Sequence, residues 1–259
     1  DFVIDFQGLF KSGILTFLSG GKRRIGYDKT REFSYVFLNE RIPPCDPDLH
    51  AVDRYLNLAG NLGGEVSGPG SLIPVSKKDV AYVKESLVNN GIYGSHRIIA
   101  VHPGSGWATK LWDQEKFGPL CDRIIDAFDT RIIFTGDKND RSMVEMIASE
   151  MRGRVFNSAG MLSLKELACL LSLADLMITT DTGPMHIASA MDTPVVAIFG
   201  PTAPWRIGPY GEGHMVIRSD LACSPCFKKK CDTKRCMGEI AVDDVFSAVA
   251  RKLAALERG

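Results

Sequence analysis

The segment Thr179-Thr-Asp-Thr-Gly-Pro-Met-His-Ile-Ala-Ser-Ala190 concentrates residue types that chemistry uses. Asp181, Thr182 and His186 stand where an apolar run stops and Gly183-Pro184 turns the chain. Pro184 suits a first helical turn, because its missing N–H would lack a partner there anyway. The free amides and positive dipole end of such a helix suit a phosphate. A plainer reading stays open, in which Asp181 and Thr182 only shape a capped turn. Asp-Thr-Gly also occurs in aspartic proteases, but α/β surroundings argue against that.

A second segment is His102-Pro-Gly-Ser-Gly-Trp-Ala-Thr-Lys-Leu-Trp112. Gly104, Ser105 and Gly106 let backbone approach a ligand closely, and Lys110 offers a compact charge for a diphosphate. Taken alone, it reads equally as a loop with a solvated lysine. A third segment, 199–211, carries three prolines and three glycines. It either walls a base or sugar pocket or merely connects two elements. Finally, Cys223, Cys226, Cys231 and Cys236 are spaced Cys-x2-Cys-x4-Cys-x4-Cys. Four thiolates at such spacing suit zinc or an iron–sulfur cluster. Reduced structural thiols are the other reading, and the expectation is that no metal is bound. Lys228 to Lys230, inside the cluster, suit anionic lipid or sugar phosphate.

Alternating elements must position these segments. Apolar runs predict strands at 97–101, 131–134, 176–180 and 194–199. Helical spacing falls between them, at 116–128, 142–151 and 184–191, and after a capping box formed by Ser163 and Glu166. Continuous apolar strands alternating with helices indicate a parallel sheet covered on both faces. Residues 95–240 therefore read as a doubly wound domain, with loops 103–110, 181–184 and 200–211 on the one edge where ligands bind. Trp112 and Phe117 should anchor the helix that follows them. Residues 1–75 read as a less regular α/β region, and 63–70 as a loop leading to a linker. Apolar residues at 242, 245, 246, 249, 253 and 256 make an amphipathic helix. The expected boundaries are 1–80, 81–240 and 241–259.

Composition sets limits. The 259 residues are 45% hydrophobic and 24% charged, ordinary for a globular protein. Lys plus Arg and Asp plus Glu both number 31, so no basic excess points to nucleic acid. The most apolar stretch, 167–178, is interrupted by Ser172 and Asp175 and is too short to cross a bilayer. No secretory signal is visible at the start, so a cytoplasmic place is expected. The chain opens abruptly on an apolar strand, Asp1 to Phe6, without Met, so further sequence is expected before residue 1.

Taken as an ordered set, these motifs resemble the family-nine glycosyltransferases, the lipopolysaccharide heptosyltransferases. Pro103, Gly104, Lys110 and Trp112 match one loop of that family; Asp181, Thr182, Gly183 and His186 match a second; Phe199-Gly-Pro-Thr202 matches a third. Asp5-Phe-Gln-Gly8 with Lys11-Ser12, Gly26, Arg31-Glu32 and His50-Ala-Val-Asp-Arg54 extend the likeness to the start. The resemblance implies a GT-B fold: two Rossmann-like domains facing across a cleft, the first incomplete here, with the last helix crossing back to the N-terminal domain. It implies inverting, metal-independent transfer of a heptose or related sugar from an ADP-sugar to the lipopolysaccharide inner core, without a cofactor. Lys110 and Asp181 would be catalytic. Ser105, Gly106, Lys110, Asp140, Leu162, Asp181, Thr182, Gly183 and His186 would bind the donor, and Gln7 and Lys11 would face the acceptor. The family's general base, an Asp in a Ser-x-x-Gly-Asp type loop, has no match and is expected before residue 1. Peripheral contact with the inner face of the inner membrane would suit such an acceptor. The rival readings are a nucleotide-sugar epimerase of similar fold and a non-catalytic nucleotide-sugar binding module.

Overall fold

Residues 1–65 and 73–256 are described by the structure, a computed structural model. Of the expected linker loop, 66–70 therefore lies outside the described residues. Contacts divide the chain into two units, Asp1–Gly68 with Trp205–Ile207, and Pro69–Pro204 with Gly208–Gly259.

The first unit holds β1 (Phe2–Asp5), α1 (Phe10–Leu18), β2 (Arg23–Tyr27), β3 (Glu40–Ile42) and α2 (Ala51–Asn61). Its strands form a parallel sheet in the order β1-β2-β3. The turn out of β1 is shaped by the buried Asp5, which accepts the N–H groups of Gln7 and Gly8 and the Ser12 hydroxyl, each at 3.0 Å. Tyr27 donates its hydroxyl to the Arg54 carbonyl at 2.5 Å, fastening β2 to α2.

The second unit runs α3 (Lys77–Asn89), β4 (Arg97–His102), α4 (Phe117–Phe128), β5 (Thr130–Phe134), α5 (Arg141–Glu150), β6 (Val155–Asn157), α6 (Leu164–Leu173), β7 (Leu176–Thr180), α7 (Gly183–Ala190) and β8 (Val195–Phe199). After the single-turn α8 (Pro204–Ile207), which from Trp205 on groups with the first unit, come β9 (Met215–Arg218), the single-turn α9 (Arg235–Gly238) and α10 (Val242–Leu256). Six parallel strands pair in the order β6-β5-β4-β7-β8-β9. Every residue of β7 and β8 is buried, which is why their sequences run apolar without alternation. The chain winds outward from β4 through β5 to β6, then returns to β7 and winds the other way. That reversal, between β4 and β7, opens a crevice beyond the carboxyl ends of the strands.

Trp112 and Phe117 anchor α4 as expected. Their rings meet edge to face at 5.0 Å, and the indole N–H donates to the Ile240 carbonyl at 3.0 Å. Two boundaries differ from expectation. The division falls after Gly68, and α3, whose start is capped by Ser76 and Asp79, belongs to the second unit, where a boundary at residue 80 would have cut it. The helix α10, expected to cross back to the N-terminal domain, buries Val245, Ala248, Val249 and Leu253 in the core of the second unit. The apolar stripe that identified the helix is occupied there. Short β6 and β9 were not foreseen; they lie at the sheet edges, are only partly buried and lack a long apolar run.

Candidate functional site

At the crevice, the Thr180 hydroxyl at the end of β7 donates to the Gly104 carbonyl at 3.1 Å, pinning the loop after β4 to its neighbour strand. A side chain at position 104 would force the Asp140 carboxylate to move, since a Cβ would stand 2.6 Å from Asp140 Oδ1. Asp140 in turn accepts the Asp137 N–H at 2.9 Å, and Asp137 accepts the Asn139 N–H at 2.6 Å, so this acidic turn beside the glycine loop is shaped by its own side chains. Across the crevice, α7 opens with Thr182 extended at its N-cap and Pro184 in its first turn. The parallel register of β4, β7 and β8 puts the loops that follow them on one edge.

A cleft of about 480 Å³ lies there. Five expected donor residues line it, Ser105, Gly106, Asp140, Leu162 and Thr182, together with His102, Asp137, Asn139 and Pro184. Lys110, Asp181, Gly183 and His186 are not among its lining. Instead Lys110 Nζ pairs with Asp181 Oδ2 at 2.7 Å, both side chains largely buried. The Thr202 hydroxyl donates to the same oxygen at 2.6 Å. Lys110 also stands 4.5 Å from the centre of the Trp107 ring. Gly183 and His186 are exposed in the first turns of α7. Gln7 and Lys11 are exposed in the first unit, after β1 and in α1.

Polar groups gather at one wall of this cleft, facing Leu162, Leu164 and Leu167 among its lining. Burial pushes the His102 imidazole below its usual value, against the opposing pull of Asp140 and Asp137, so it stands as a neutral ring 3.2 Å from the Thr135 hydroxyl. Amide donation from Asn139 holds Asp137 below the usual carboxylate range. Carboxylates at one wall can accept hydroxyl donors, while the α7 amides and Lys110 can meet negative charge. Thr202 went unassigned in the sequence although it closes the quoted Phe-Gly-Pro-Thr motif. Asp137, Asn139 and Trp107 carried no signal beyond their nearness to a strand end.

The four clustered cysteines all line one cavity of about 210 Å³. All seven cysteines are free, and among the described residues no three His, Cys, Asp or Glu side chains are arranged to hold a metal. Burial, then the thiols of Cys226, Cys223 and Cys231, push the Cys236 thiol up. The segment is strapped to the loop after β8: Cys226 and Phe227 donate their N–H groups to the Pro201 carbonyl at 3.0 and 2.8 Å, and Ser224 donates its hydroxyl to the Gly200 carbonyl at 2.6 Å.

Known proteins are similar to this chain in sequence and fold. Residues 1–237 match the model of glycosyltransferase family 9 (heptosyltransferase). Lipopolysaccharide heptosyltransferase 1 of Pseudomonas aeruginosa is 31% identical over 235 residues, covering 89% of this chain and 63% of that protein. Lipooligosaccharide heptosyltransferase 2 of Campylobacter jejuni is 26% identical over 257 residues, covering 95% and 72%. This chain thus spans less than two thirds of the length of the first of these relatives. Among solved structures, a family 9 glycosyl transferase of Veillonella parvula superposes with a TM-score of 0.83 at 24% identity, over 98% of this chain and 74% of that one. A heptosyltransferase of E. coli solved with ADP gives 0.73 at 24%, over 97% and 72%. At these identities the likeness establishes the fold, an α/β architecture of the GT-B type with Rossmann-like units. With nearly its whole length matched by the family model, the chain belongs to glycosyltransferase family 9.

Proposed function

We propose that the protein transfers a heptose, or a related sugar, from an ADP-sugar to the lipopolysaccharide inner core, with inversion and without a bound metal. The observation that carries this reading is the meeting of Lys110, Asp181 and the α7 N-terminus at the reversal of strand order, beside a cleft of nucleotide size. The names of the relatives support the sugar: several are heptosyltransferases, and one solved relative was captured with ADP-2-deoxy-2-fluoro heptose.

In this reading the nucleoside and ribose lie in the cleft between Leu162 and Asp140, and the diphosphate lies toward Lys110 and the amides of α7. An acceptor hydroxyl attacks the anomeric carbon. The new C–O bond forms as the bond to the phosphate oxygen breaks, and ADP leaves with that electron pair. The acceptor's proton passes to a carboxylate base of the Ser-x-x-Gly-Asp type, which no residue of this chain matches. Lys110 and the α7 dipole place positive charge where the leaving group gains negative charge, the kind of stabilisation that acts most in the transition state. Gln7 and Lys11 would serve the acceptor. Such a reaction belongs in the cytoplasm, with peripheral contact at the inner face of the inner membrane.

An epimerase is the rival of similar fold. A UDP-GlcNAc 2-epimerase of Methanocaldococcus jannaschii superposes with a TM-score of 0.52 at 11% identity, a likeness of fold alone. Incubating the full natural chain with a panel of nucleotide sugars, with and without inner-core acceptor, separates the readings. ADP release that requires both ADP-heptose and acceptor is expected. A changed sugar without acceptor would favour the epimerase, and tight ADP binding without turnover would favour a binding module.

A further inference from the structure

Lys110 alone is a poor diphosphate ligand, because Asp181 at 2.7 Å already offsets its charge. Net positive charge must come from elsewhere. The indole of Trp107 carries a second ammonium: Lys229 Nζ lies 4.8 Å from the ring centre, against 4.5 Å for Lys110. Both distances fall within the range where a cation is drawn to an aromatic face. Lys229 is exposed, and among the described residues it forms no ion pair.

Its position is fixed by backbone. The buried Thr109 donates its hydroxyl to the Lys228 carbonyl at 2.9 Å, and Cys226 and Phe227 hang from the Pro201 carbonyl. The loop that delivers Lys229 is therefore tied to both neighbouring loops of the site. It is also strongly cationic in a chain of zero formal net charge. Within 228–235, Lys228, Lys229, Lys230, Lys234 and Arg235 stand against one acid, Asp232, and Arg235 pairs with Glu239 beyond it.

We infer that Trp107 and Lys229, beside Lys110, form an anion-binding subsite for a phosphate or carboxylate group of a substrate. The inference rests on the glycosyl-transfer reading only for where that group comes from: the donor's diphosphate, or an acidic substituent of the acceptor. Two ammonium groups on one ring repel each other, and an anion binding there lowers that repulsion. An anionic membrane surface is the competing partner for so basic a loop. Seating Lys229 on Trp107, next to Lys110, favours a small group instead.

The test compares Lys229→Ala, Lys229→Arg and Lys230→Ala in the full natural chain. Lys230 is a neighbouring exposed cation with no ring contact described. Calorimetry reads ADP and pyrophosphate affinity without any need for transfer, and a transfer assay reads KM for the acceptor. Lys229→Ala should weaken one of these about tenfold, the scale of one partly exposed charge contact. Lys229→Arg should restore most of it, and Lys230→Ala should change neither. A loss in ADP and pyrophosphate affinity identifies the donor diphosphate, whereas a raised acceptor KM alone identifies an acidic acceptor group. If neither quantity moves by more than twofold, or if Lys230→Ala matches Lys229→Ala, the subsite does not exist and the loop's charge serves a diffuse surface. A chain that binds ADP through Lys229 yet makes no glycoside would keep this inference and overturn the transfer reading.

Discussion

Single residues in this site are set by partners that sequence spacing does not display. Lys110 was legible as a cation in a glycine-rich turn, and Asp181 as an acid before a helix. That they would pair directly was not legible, because 71 positions separate them and only the adjacency of β4 and β7 closes the gap. Replacing Lys110 by Ala should lower kcat/KM by roughly 10²–10³, the usual loss for one electrostatic stabiliser. Lys110→Arg should recover only part of the rate, because a guanidinium is planar and bulkier. Lys78→Ala, exposed on α3, is the control and should do little. Steady-state kinetics within twofold of the parent would show Lys110 to be a bystander. Thr202→Val removes the hydroxyl bonded to Asp181 at 2.6 Å and should cost about tenfold in kcat/KM, the size of one hydrogen bond to a charged group. The thiols offer a pH readout. Donation from the Lys234 and Thr233 amides and the Thr233 hydroxyl holds the exposed Cys231 thiol below its usual value, whereas burial pushes those of Cys121 and Cys169 up. An alkylating reagent should therefore modify Cys231 at a lower pH than a free cysteine needs, as peptide mapping after brief labelling would show. First labelling at Cys121 would refute that order.

At the scale of elements, legibility followed burial on both faces. Strand β7 and helix α10 fall where apolar runs and stripes put them, and the capping box of α6 is realised, with Glu166 accepting the Ser163 N–H at 2.7 Å. Strands β2 and β3 were blurred into an irregular region, since β2 opens on two basic residues and β3 has only three residues. Element junctions are equally hidden. Asp122 on α4 accepts N–H groups from Arg152 and Gly153 at 3.0 to 3.1 Å, tying α4 to the turn before β6. Burial alone would raise its pKa, but those amides and the Arg152 guanidinium outweigh it and hold the carboxyl below the usual range. A depressed folded-state pKa means stability that is present above the unfolded value and is lost as pH falls toward the folded one. Asp122→Asn should thus cost about 1–3 kcal/mol near neutral pH. The difference from the parent should shrink as pH falls through 3.8 and below, read by denaturant unfolding. A penalty independent of pH would mean that packing, and not charge, holds this junction.

For the whole molecule, the strand order could be anticipated only as a class. Alternating elements announced a doubly wound sheet, but nothing local said that the reversal would fall between β4 and β7. That order places the loops at 103–110 and 181–184, which the proposed reading gives to the nucleotide, in the second unit. ADP should therefore protect amides at 104–110, 136–140 and 182–185 most strongly in hydrogen exchange. At a hundredfold excess over Kd it should add about 2.7 kcal/mol to the stability of the state that binds it. Protection centred on β1 to β3 instead would put the nucleotide elsewhere. Among the described residues no helix is long and apolar enough to cross a membrane.

The Lys110–Asp181 pair also gives the lysine a partner of its own. Asp181 is a tethered counter-ion, present at an effective concentration set by the fold and not by the surroundings. A free monoanion that displaces it trades one charge for another and gains little. A diphosphate brings two charges and can hold the lysine while it also reaches the helix amides, so only such a ligand has reason to evict the carboxylate. On the proposed reading, departure of the diphosphate would let the tether return Asp181 to Lys110, restoring the threshold against singly charged solutes.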